Sequence, residues 1–256
     1  MIVYLTFGEK VSGVYKGQVM DVCDYLSELK GEPVKLVSII SMRNFREERM
    51  KIRQSYSNSI VLPMFPTLRL WKWNIILLFF VCLFRRNIKM ICRNSIPGYF
   101  GLRLRKLGLV KSVTLDGRGA EYEQYIEFNM VPVPLAEKLR KVESKSVNEA
   151  DFRISVTREL VEYWKRAFDY KGQEHLIIPC TLNRHYLDHT PKKRTELGYK
   201  EEDVIITYSG SVAGWQSFGL MYDFLSKHLG SKPELKLMLL TKQTSEVERL
   251  MEEFPD

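Results

Sequence analysis

Short apolar runs of strand length alternate with longer helical segments from residue 2 to residue 178. Parallel strands need a long crossover connection, most often a helix. Regular alternation of this kind therefore predicts a parallel sheet with helices on both faces. Pro63 interrupts the third run, so that strand is expected at an edge of the sheet. The seven predicted strands span residues 2–6, 33–40, 59–65, 88–92, 112–116, 152–156 and 175–178.

The alternation stops after residue 180 and then starts again. Residues 181–203 are polar and contain Asn183, Pro191 and Gly198, a composition typical of an interdomain linker. Beyond them the order is strand, small-residue loop, helix, strand and helix. The predicted fold class is α/β. A complete doubly wound Rossmann-like domain covers residues 1–180, and the first β-α-β-α of a second covers residues 204–256.

The fifth predicted strand ends in the stretch Asp116-Gly117-Arg118-Gly119. In open α/β sheets, ligands bind outside the carboxyl ends of the strands. Asp116 and Arg118 are therefore candidates for a functional site. The alternative interpretation is a tight turn in which the Asp116 and Arg118 side chains simply pair with each other.

A glycine-containing loop, Gly13–Gly17, joins the first strand to the first helix. Backbone N–H groups at the start of a helix can hold a phosphate, and glycine lets the ligand approach. The spacing is not G-x-G-x-x-G, so a flexible first loop remains the alternative. Arg93 ends the fourth strand and is a second candidate for binding an anion or an acceptor.

The formal net charge of +8 suggests an anionic partner, either a nucleotide or an anionic membrane surface. No block of like charges is long enough for a nucleic-acid tail, so no nucleic-acid partner is expected. The apolar run 74–84 lies between Trp71, Trp73 and Arg85-Arg86. It is shorter than the ~20 residues that a spanning helix needs. A buried helix is the favoured interpretation, and a helix lying on a membrane surface is the alternative.

The N-terminus lacks the features of a signal peptide. The four cysteines lie among apolar neighbours and lack CxxC spacing, so all four are expected to be reduced core residues of a cytosolic protein. His185 and His189 have helical spacing, but Thr190-Pro191 favours a loop there. Because no third ligand is apparent, no metal site is expected.

In order and spacing, four motifs resemble family 4 glycosyltransferases of the GT-B fold, especially those that build bacterial surface polysaccharides. They extend over nearly the whole chain. The motifs are Gly13–Gly17; Asp116-Gly117-Arg118-Gly119 with Glu121 and Glu123; Ala150–Thr157 with Ile178-Pro179-Cys180; and Tyr208-Ser209-Gly210-Ser211 with Trp215.

The resemblance implies two Rossmann-like domains that face a cleft, one holding the acceptor and the other a nucleotide-sugar. It implies a retaining transferase without a metal or other cofactor, acting on a saccharide or lipid-linked acceptor at the inner face of the plasma membrane. Many relatives carry histidine where this chain has Asp116, which here would bind an acceptor hydroxyl. Cationic and N–H groups would stabilise the leaving nucleoside diphosphate. The resemblance implies Asp116 and Arg118 as catalytic residues. It implies Gly13, Gly17 and Arg93 as acceptor- or phosphate-binding residues, and Gly210, Ser211 and Trp215 as donor-binding residues.

The family's second domain continues with a glutamate-bearing motif and a final helix that packs back on the first domain. A domain of that kind needs about 150 residues, more than residues 204–256 supply. The sequence is therefore expected to be truncated in the donor domain and inactive in this form. The alternative class is a non-catalytic Rossmann-like binding or scaffold protein of a membrane-associated glycosylation assembly. An NAD-dependent enzyme is disfavoured because the first loop lacks dinucleotide-binding spacing.

Overall fold

A computed structural model describes residues 1–66, 68–181, 183, 188, 190–211, 218–229, 232–241 and 245–253. The chain divides into two compact units, residues 1–187 and residues 188–256. Each unit is described by itself.

The first unit contains a seven-stranded, wholly parallel sheet with strand order β3-β2-β1-β4-β5-β6-β7. This confirms the predicted parallel sheet and places the proline-containing β3 at an edge. The strand order reverses between β1 and β4, which is where doubly wound sheets bind ligands. The strands are β1 Ile2–Phe7, β2 Lys35–Ile40, β3 Ser59–Pro63, β4 Ile88–Arg93, β5 Val110–Gly117, β6 Phe152–Ser155 and β7 His175–Ile177.

Helices connect the strands, as the alternation predicts. The segment 121–147, which is helical in character but broken by Pro132 and Pro134, forms two helices, and the two prolines lie at the start of the second one. The segment 68–84 begins as a 3₁₀ helix, Leu68–Trp73, before turning α-helical. The helices are α1 Gly13–Tyr15, a π-helical segment Lys16–Met20, α2 Asp21–Lys30, α3 Phe45–Ser55, α4 Asn74–Leu83, α5 Ser95–Lys106, α6 Glu121–Glu127, α7 Val133–Glu149 and α8 Arg158–Phe168.

Alternation along β1 divides the core into two layers. Val3 and Leu5 face the layer that includes α4, α5, α7 and α8, whereas Tyr4 faces the layer of α1, α2 and α3. Both layers are densely apolar, which explains why β1 and β2 are hydrophobic on both faces.

Two expectations about buried residues need correction. Cys23, Cys82 and Cys92 are buried, but Cys180 is exposed because it lies beyond the end of β7 and outside the core. Helix α4 is buried on one side only: Leu78 faces the core, while its opposite side is exposed. Within the described part of the chain, no helix is both long and apolar enough to cross a membrane.

The second unit has a parallel pair of strands, β8 Val204–Ser209 and β9 Leu235–Leu240. Helices α9 Phe218–Leu229 and α10 Ser245–Glu253 follow the two strands in turn. Phe218 and Val247 form its buried cluster among the described residues. A short 3₁₀ helix, Arg194–Leu197, lies in the stretch predicted as a linker.

Candidate functional site

Polar side chains from β1, β4 and β5 meet at the point where the strand order reverses. Arg93 is the last residue of β4 and pairs in register with Asp116 near the end of β5. Tyr4 of β1 projects from the same face of the sheet. Three strands that are far apart in sequence thereby bring a phenol, a guanidinium and a carboxylate together.

Asp116 is the centre of this cluster and is 1% exposed. Its Oδ2 accepts hydrogen bonds from the Tyr4 hydroxyl and from Arg118 Nη2, the latter at 2.9 Å. Burial and the neighbouring Asp116 carboxylate raise the pKa of Tyr4 well above its ordinary value, so Tyr4 stays a hydrogen-bond donor. Asp116 and Arg118 do pair with each other, as the tight-turn alternative expects. The bond from Tyr4, on a distant strand, makes the pair part of a larger cluster.

Arg93 is buried and connects this cluster to the first loop and helix. Its Nε donates to the Glu9 carboxylate at 2.9 and 3.0 Å, and its Nη2 donates to the Gln18 side chain at 3.2 Å. Burial raises the pKa of Glu9, and the Arg93 charge opposes that shift. Two carboxylates, Glu9 and Asp116, balance the two guanidinium groups, so the positive charge of Arg93 is already compensated.

Asn94 fixes the turn between β4 and α5 that carries the cluster. Its backbone has φ 72° and ψ −179°, a region that side-chain-bearing residues rarely adopt. Its N–H donates to the Asp116 carbonyl at 2.9 Å, and its Oδ1 accepts from the Arg118 N–H at 3.2 Å. Glu121 accepts the N–H of Ser95 at 2.8 Å, so a carboxylate lies at the start of α5.

Four buried polar atoms at this edge of the sheet have no hydrogen-bond partner among the described residues. Leaving such atoms unpaired costs about 1–3 kcal/mol each, so they normally bond to water or a ligand. They present both donors and acceptors, a combination that suits hydroxyl groups. The atoms are Asp116 Oδ1, Arg93 Nη1, Arg118 Nε and Ser95 Oγ.

The two glycines predicted to bind an acceptor or a phosphate, Gly13 and Gly17, lie in the first helical segment. Gly13 begins α1, where Ser12 accepts the Tyr15 N–H, and a Cβ on Gly13 would meet nothing within 4 Å. Gly17 lies in the π-helical segment next to Gln18, and its Cβ would reach only Asp21, at 4.0 Å. This segment therefore reaches the cluster through the Gln18 side chain. Short π-helical segments are frequent at functional sites.

Gly210 and Ser211 follow directly on β8, at the carboxyl end of the second unit's strands. The Gly210 N–H donates to the Leu240 carbonyl at 3.2 Å, and the Ser211 carbonyl accepts from the Tyr208 hydroxyl at 2.6 Å. Trp215 lies outside the described residues, as do Gly214, His185 and His189.

The structure thus brings together Asp116, Arg118 and Arg93, which the sequence singled out. It adds Tyr4, Glu9, Gln18 and Asn94, which the sequence analysis missed. Asn94 carried a usable signal, since asparagine tolerates positive φ and stands directly between a strand and a helix. The other three carried none, because their role depends on contacts with residues distant in sequence.

No protein-family model matches the chain, and no curated protein matches its sequence. Solved structures match the fold over nearly all of it. Anabaena Alr3699/HepE, in complex with UDP and glucose, is 12% identical with a TM-score of 0.62 over 99% of this chain and 65% of that one. A putative UDP-N-acetylglucosamine 2-epimerase from Listeria monocytogenes is 12% identical with a TM-score of 0.59 over 100% of this chain and 66% of that one.

A plant structure, Phytolacca americana UGT2 complexed with UDP-2fluoro-glucose and pterostilbene, is 8% identical with a TM-score of 0.53. That match covers 97% of this chain and 73% of the plant protein. At such identities the likeness establishes the fold alone. The class that fold and comparisons define is the GT-B type of α/β protein: a Rossmann-like unit with a seven-stranded parallel sheet, and a second unit of β-α-β-α order. The chain spans 65% and 66% of the first two matched structures.

Proposed function

We propose that the protein is a glycosyltransferase that moves a sugar from a nucleotide-sugar to a hydroxyl of a saccharide or lipid-linked acceptor. One observation carries the proposal: a buried cluster with unpaired polar atoms lies at the strand-order reversal of a fold whose matches include complexes with UDP and glucose. Ligands of doubly wound sheets bind at that position.

The charge balance of the cluster favours the acceptor as its ligand. Two guanidinium groups and two carboxylates give donors and acceptors in similar number and no net charge. A neutral acceptor with several hydroxyls satisfies such a set, whereas a diphosphate would face two carboxylates. The nucleotide-sugar is assigned to the second unit, where Gly210, Ser211 and Trp215 follow β8.

Within the cluster, exposure separates the roles. The Asp116 side chain is 2% exposed and that of Arg118 is 15% exposed. Arg118 is therefore assigned to ligand contact and Asp116 to positioning Arg118 and Tyr4. A guanidinium held by a buried carboxylate is preorganised to orient an acceptor hydroxyl through a hydrogen bond.

The test is release of UDP from UDP-sugars in the presence of a panel of saccharide acceptors. Arg118→Ala should lower the rate of release at least tenfold, because it removes a charge-assisted contact of about 1.5–3 kcal/mol. The control is Arg49→Ala, an exposed arginine of α3 that forms no hydrogen bond or ion pair with the cluster among the described residues, and it should leave the rate unchanged.

Two results would contradict the proposal. One is acceptor-independent conversion of the UDP-sugar to its epimer, which would assign the chain to the chemistry named for the Listeria match. The other is binding of the acceptor with no binding of any UDP-sugar, which would favour the non-catalytic binding protein.

A further inference from the structure

Helix α4 and the 3₁₀ helix before it carry a row of large apolar side chains on their outer side. The spacing of three or four residues places them along one helical face. Trp73 is 57% exposed, Phe80 61% and Phe84 87%. The row, called the α4 stripe below, consists of Leu70, Trp73, Ile76, Phe80, Leu83 and Phe84.

The other side of the same helix already supplies the contacts that the fold requires. Leu78 and Cys82 are buried in the core, and Trp71 packs edge-on against Tyr99 with ring centroids 5.1 Å apart. The residues of the α4 stripe lie outside the core cluster of the first unit. A contiguous exposed row of this size marks an interaction surface.

Basic residues flank the stripe at both ends. Arg69 precedes it, Lys72 lies between its first two members, and Arg85 and Arg86 follow it. None of the four forms an ion pair with a described residue. Burial and repulsion from Arg85 lower the pKa of Lys35, so Lys35 adds a further cation near the end of α4.

The sequence around the stripe is also strongly basic. Residues 49–115 contain thirteen lysines and arginines and not one aspartate or glutamate. Arg103 of α5 stacks on Tyr99 at 5.1 Å and adds another cation near the start of α4. An apolar row between unpaired cations is complementary to a surface with an anionic outer layer and an apolar interior.

We propose that the α4 stripe docks the protein on an anionic lipid bilayer. The aromatic and aliphatic side chains enter the boundary between headgroups and acyl chains, and the flanking cations bind lipid phosphates. Long arginine and lysine side chains can reach the headgroups while the apolar row is immersed. A second copy of the chain is a poor partner for the stripe. In a two-fold dimer the α4 helices of the two copies would lie antiparallel, and the basic residues at one end of each helix would face those at the other end of its partner.

The topology relates this surface to the candidate site. Helix α4 connects β3 to β4, so the 3₁₀ helix at its start lies near the carboxyl ends of the strands. The Arg93–Asp116 cluster occupies the same edge. Docking along α4 would place that edge within reach of a lipid-linked acceptor, although the docking itself does not depend on the proposed transferase activity.

Vesicle flotation tests the docking directly. The chain should bind phosphatidylglycerol-containing vesicles at low salt, bind pure phosphatidylcholine vesicles far less, and lose most of its binding at about 0.5 M salt. The triple variant Trp73→Ser, Phe80→Ser, Phe84→Ser should reduce binding to anionic vesicles at least tenfold. Arg69→Gln with Arg86→Gln should reduce it roughly thirtyfold, at about 1 kcal/mol for each basic residue.

Matched controls lie on the opposite face of the sheet. Tyr25→Ser with Leu29→Ser removes equally exposed apolar side chains of α2, and Arg49→Gln with Arg53→Gln removes the same charge from α3. Both controls should bind like the unmodified chain. Since all these side chains are at the surface, circular dichroism should show every variant folded.

Three outcomes would overturn the proposal. Equal binding to neutral and anionic vesicles would contradict the role of the cations, and equal losses in the controls would contradict the role of α4. Light scattering that shows a dimer, dissociated by the triple serine variant and unable to bind vesicles, would assign the stripe to a second copy.

Discussion

Asp116 is almost fully buried and contacts three polar side chains of the cluster. Tyr4 and Arg118 donate to its Oδ2, and Arg93 Nη1 lies 3.9 Å from the same oxygen. Removing this buried carboxylate would leave Arg118 without its counter-charge, and Glu9 would be the only carboxylate left to balance the two guanidinium groups; breaking a buried pair in this way typically costs 3–5 kcal/mol. Substitutions at Asp116 therefore report mainly on stability. Arg118 is the better position at which to test function.

Asn94 provides a sharper test of the local backbone. Its positive φ is strained for alanine but not for glycine. Both substitutions remove the hydrogen bond from the Arg118 N–H to the Asn94 side chain. The difference in stability between the two variants therefore measures the backbone strain at position 94. We expect Asn94→Ala to be less stable than Asn94→Gly by about 1–2 kcal/mol in urea unfolding. Equal stability of the two variants would show that the turn relaxes.

Gly117 is required by packing. A Cβ on Gly117 would lie 2.5 Å from the Trp164 ring, which is buried. We expect Gly117→Ala to lower the free energy of unfolding by about 1–3 kcal/mol through overpacking. Gly13→Ala is the control, because its Cβ would meet nothing within 4 Å and should cost far less. A mild effect of Gly117→Ala would mean that Trp164 can move aside.

At the scale of elements, two carboxylates lie at helix starts beside the site. Glu143 of α7 accepts the N–H groups of Glu121 and Tyr122 at 3.2 and 2.8 Å, at the beginning of α6. Glu121 in turn accepts the Ser95 N–H at the beginning of α5. Burial raises the pKa of Glu143 well above its ordinary 4.5, and repulsion from Glu121 adds to the shift. Burial likewise raises the pKa of Glu121.

These shifts predict a definite pH dependence. Above about pH 4.5 the unfolded chain ionises both carboxyl groups while the folded chain still holds its protons, so stability falls as the pH rises toward the raised pKa values. Glu143→Gln cannot ionise. Its free energy of unfolding relative to the unmodified chain should therefore increase as the pH rises from about 4.5 toward the raised pKa. Urea titrations across that range measure the difference, and a constant difference would contradict the raised pKa.

The sequence predicted most elements because each strand is a short apolar run followed by helical spacing. Helix α8, Arg158–Phe168, begins directly after Thr157, a strong N-cap that accepts the Leu160 N–H. Helix α5 begins at Ser95, and Pro97 is tolerated within its first turn. The exposed side of α4 could not be predicted, because every position in the run 75–84 is apolar and periodicity does not separate its faces.

The site was predictable only in part, because some of its residues meet through contacts between distant parts of the sequence. Asp116, Arg118 and Arg93 follow strands directly, and a parallel sheet brings strand ends together. Glu9 and Tyr4 join the cluster through contacts that span 84 and 112 residues of sequence. The charge balance around Arg93 depends on those contacts, so a free cation was expected where the structure has a compensated one.

At the scale of the whole molecule, the two units differ in the core that each one buries. In the first unit both faces of the sheet are covered, and the fully buried side chains include Trp164, Tyr4, Tyr15 and Phe100. In the second unit, the described buried cluster consists of Phe218 and Val247 beside a two-stranded sheet. A smaller apolar core stabilises its backbone hydrogen bonds less.

Amide hydrogen exchange should resolve this difference strand by strand. We expect β1, β4 and β5, in the middle of the seven-stranded sheet, to exchange slowest and to report global unfolding of the first unit. Strands β8 and β9 should exchange at least tenfold faster, because each pairs on one side only among the described residues. Edge strand β3 is the internal control: it also pairs on one side but packs on a large core, so its protection should be intermediate. If β8 and β9 were protected as strongly as β4, the second unit would have to be stabilised by contacts beyond its own described core.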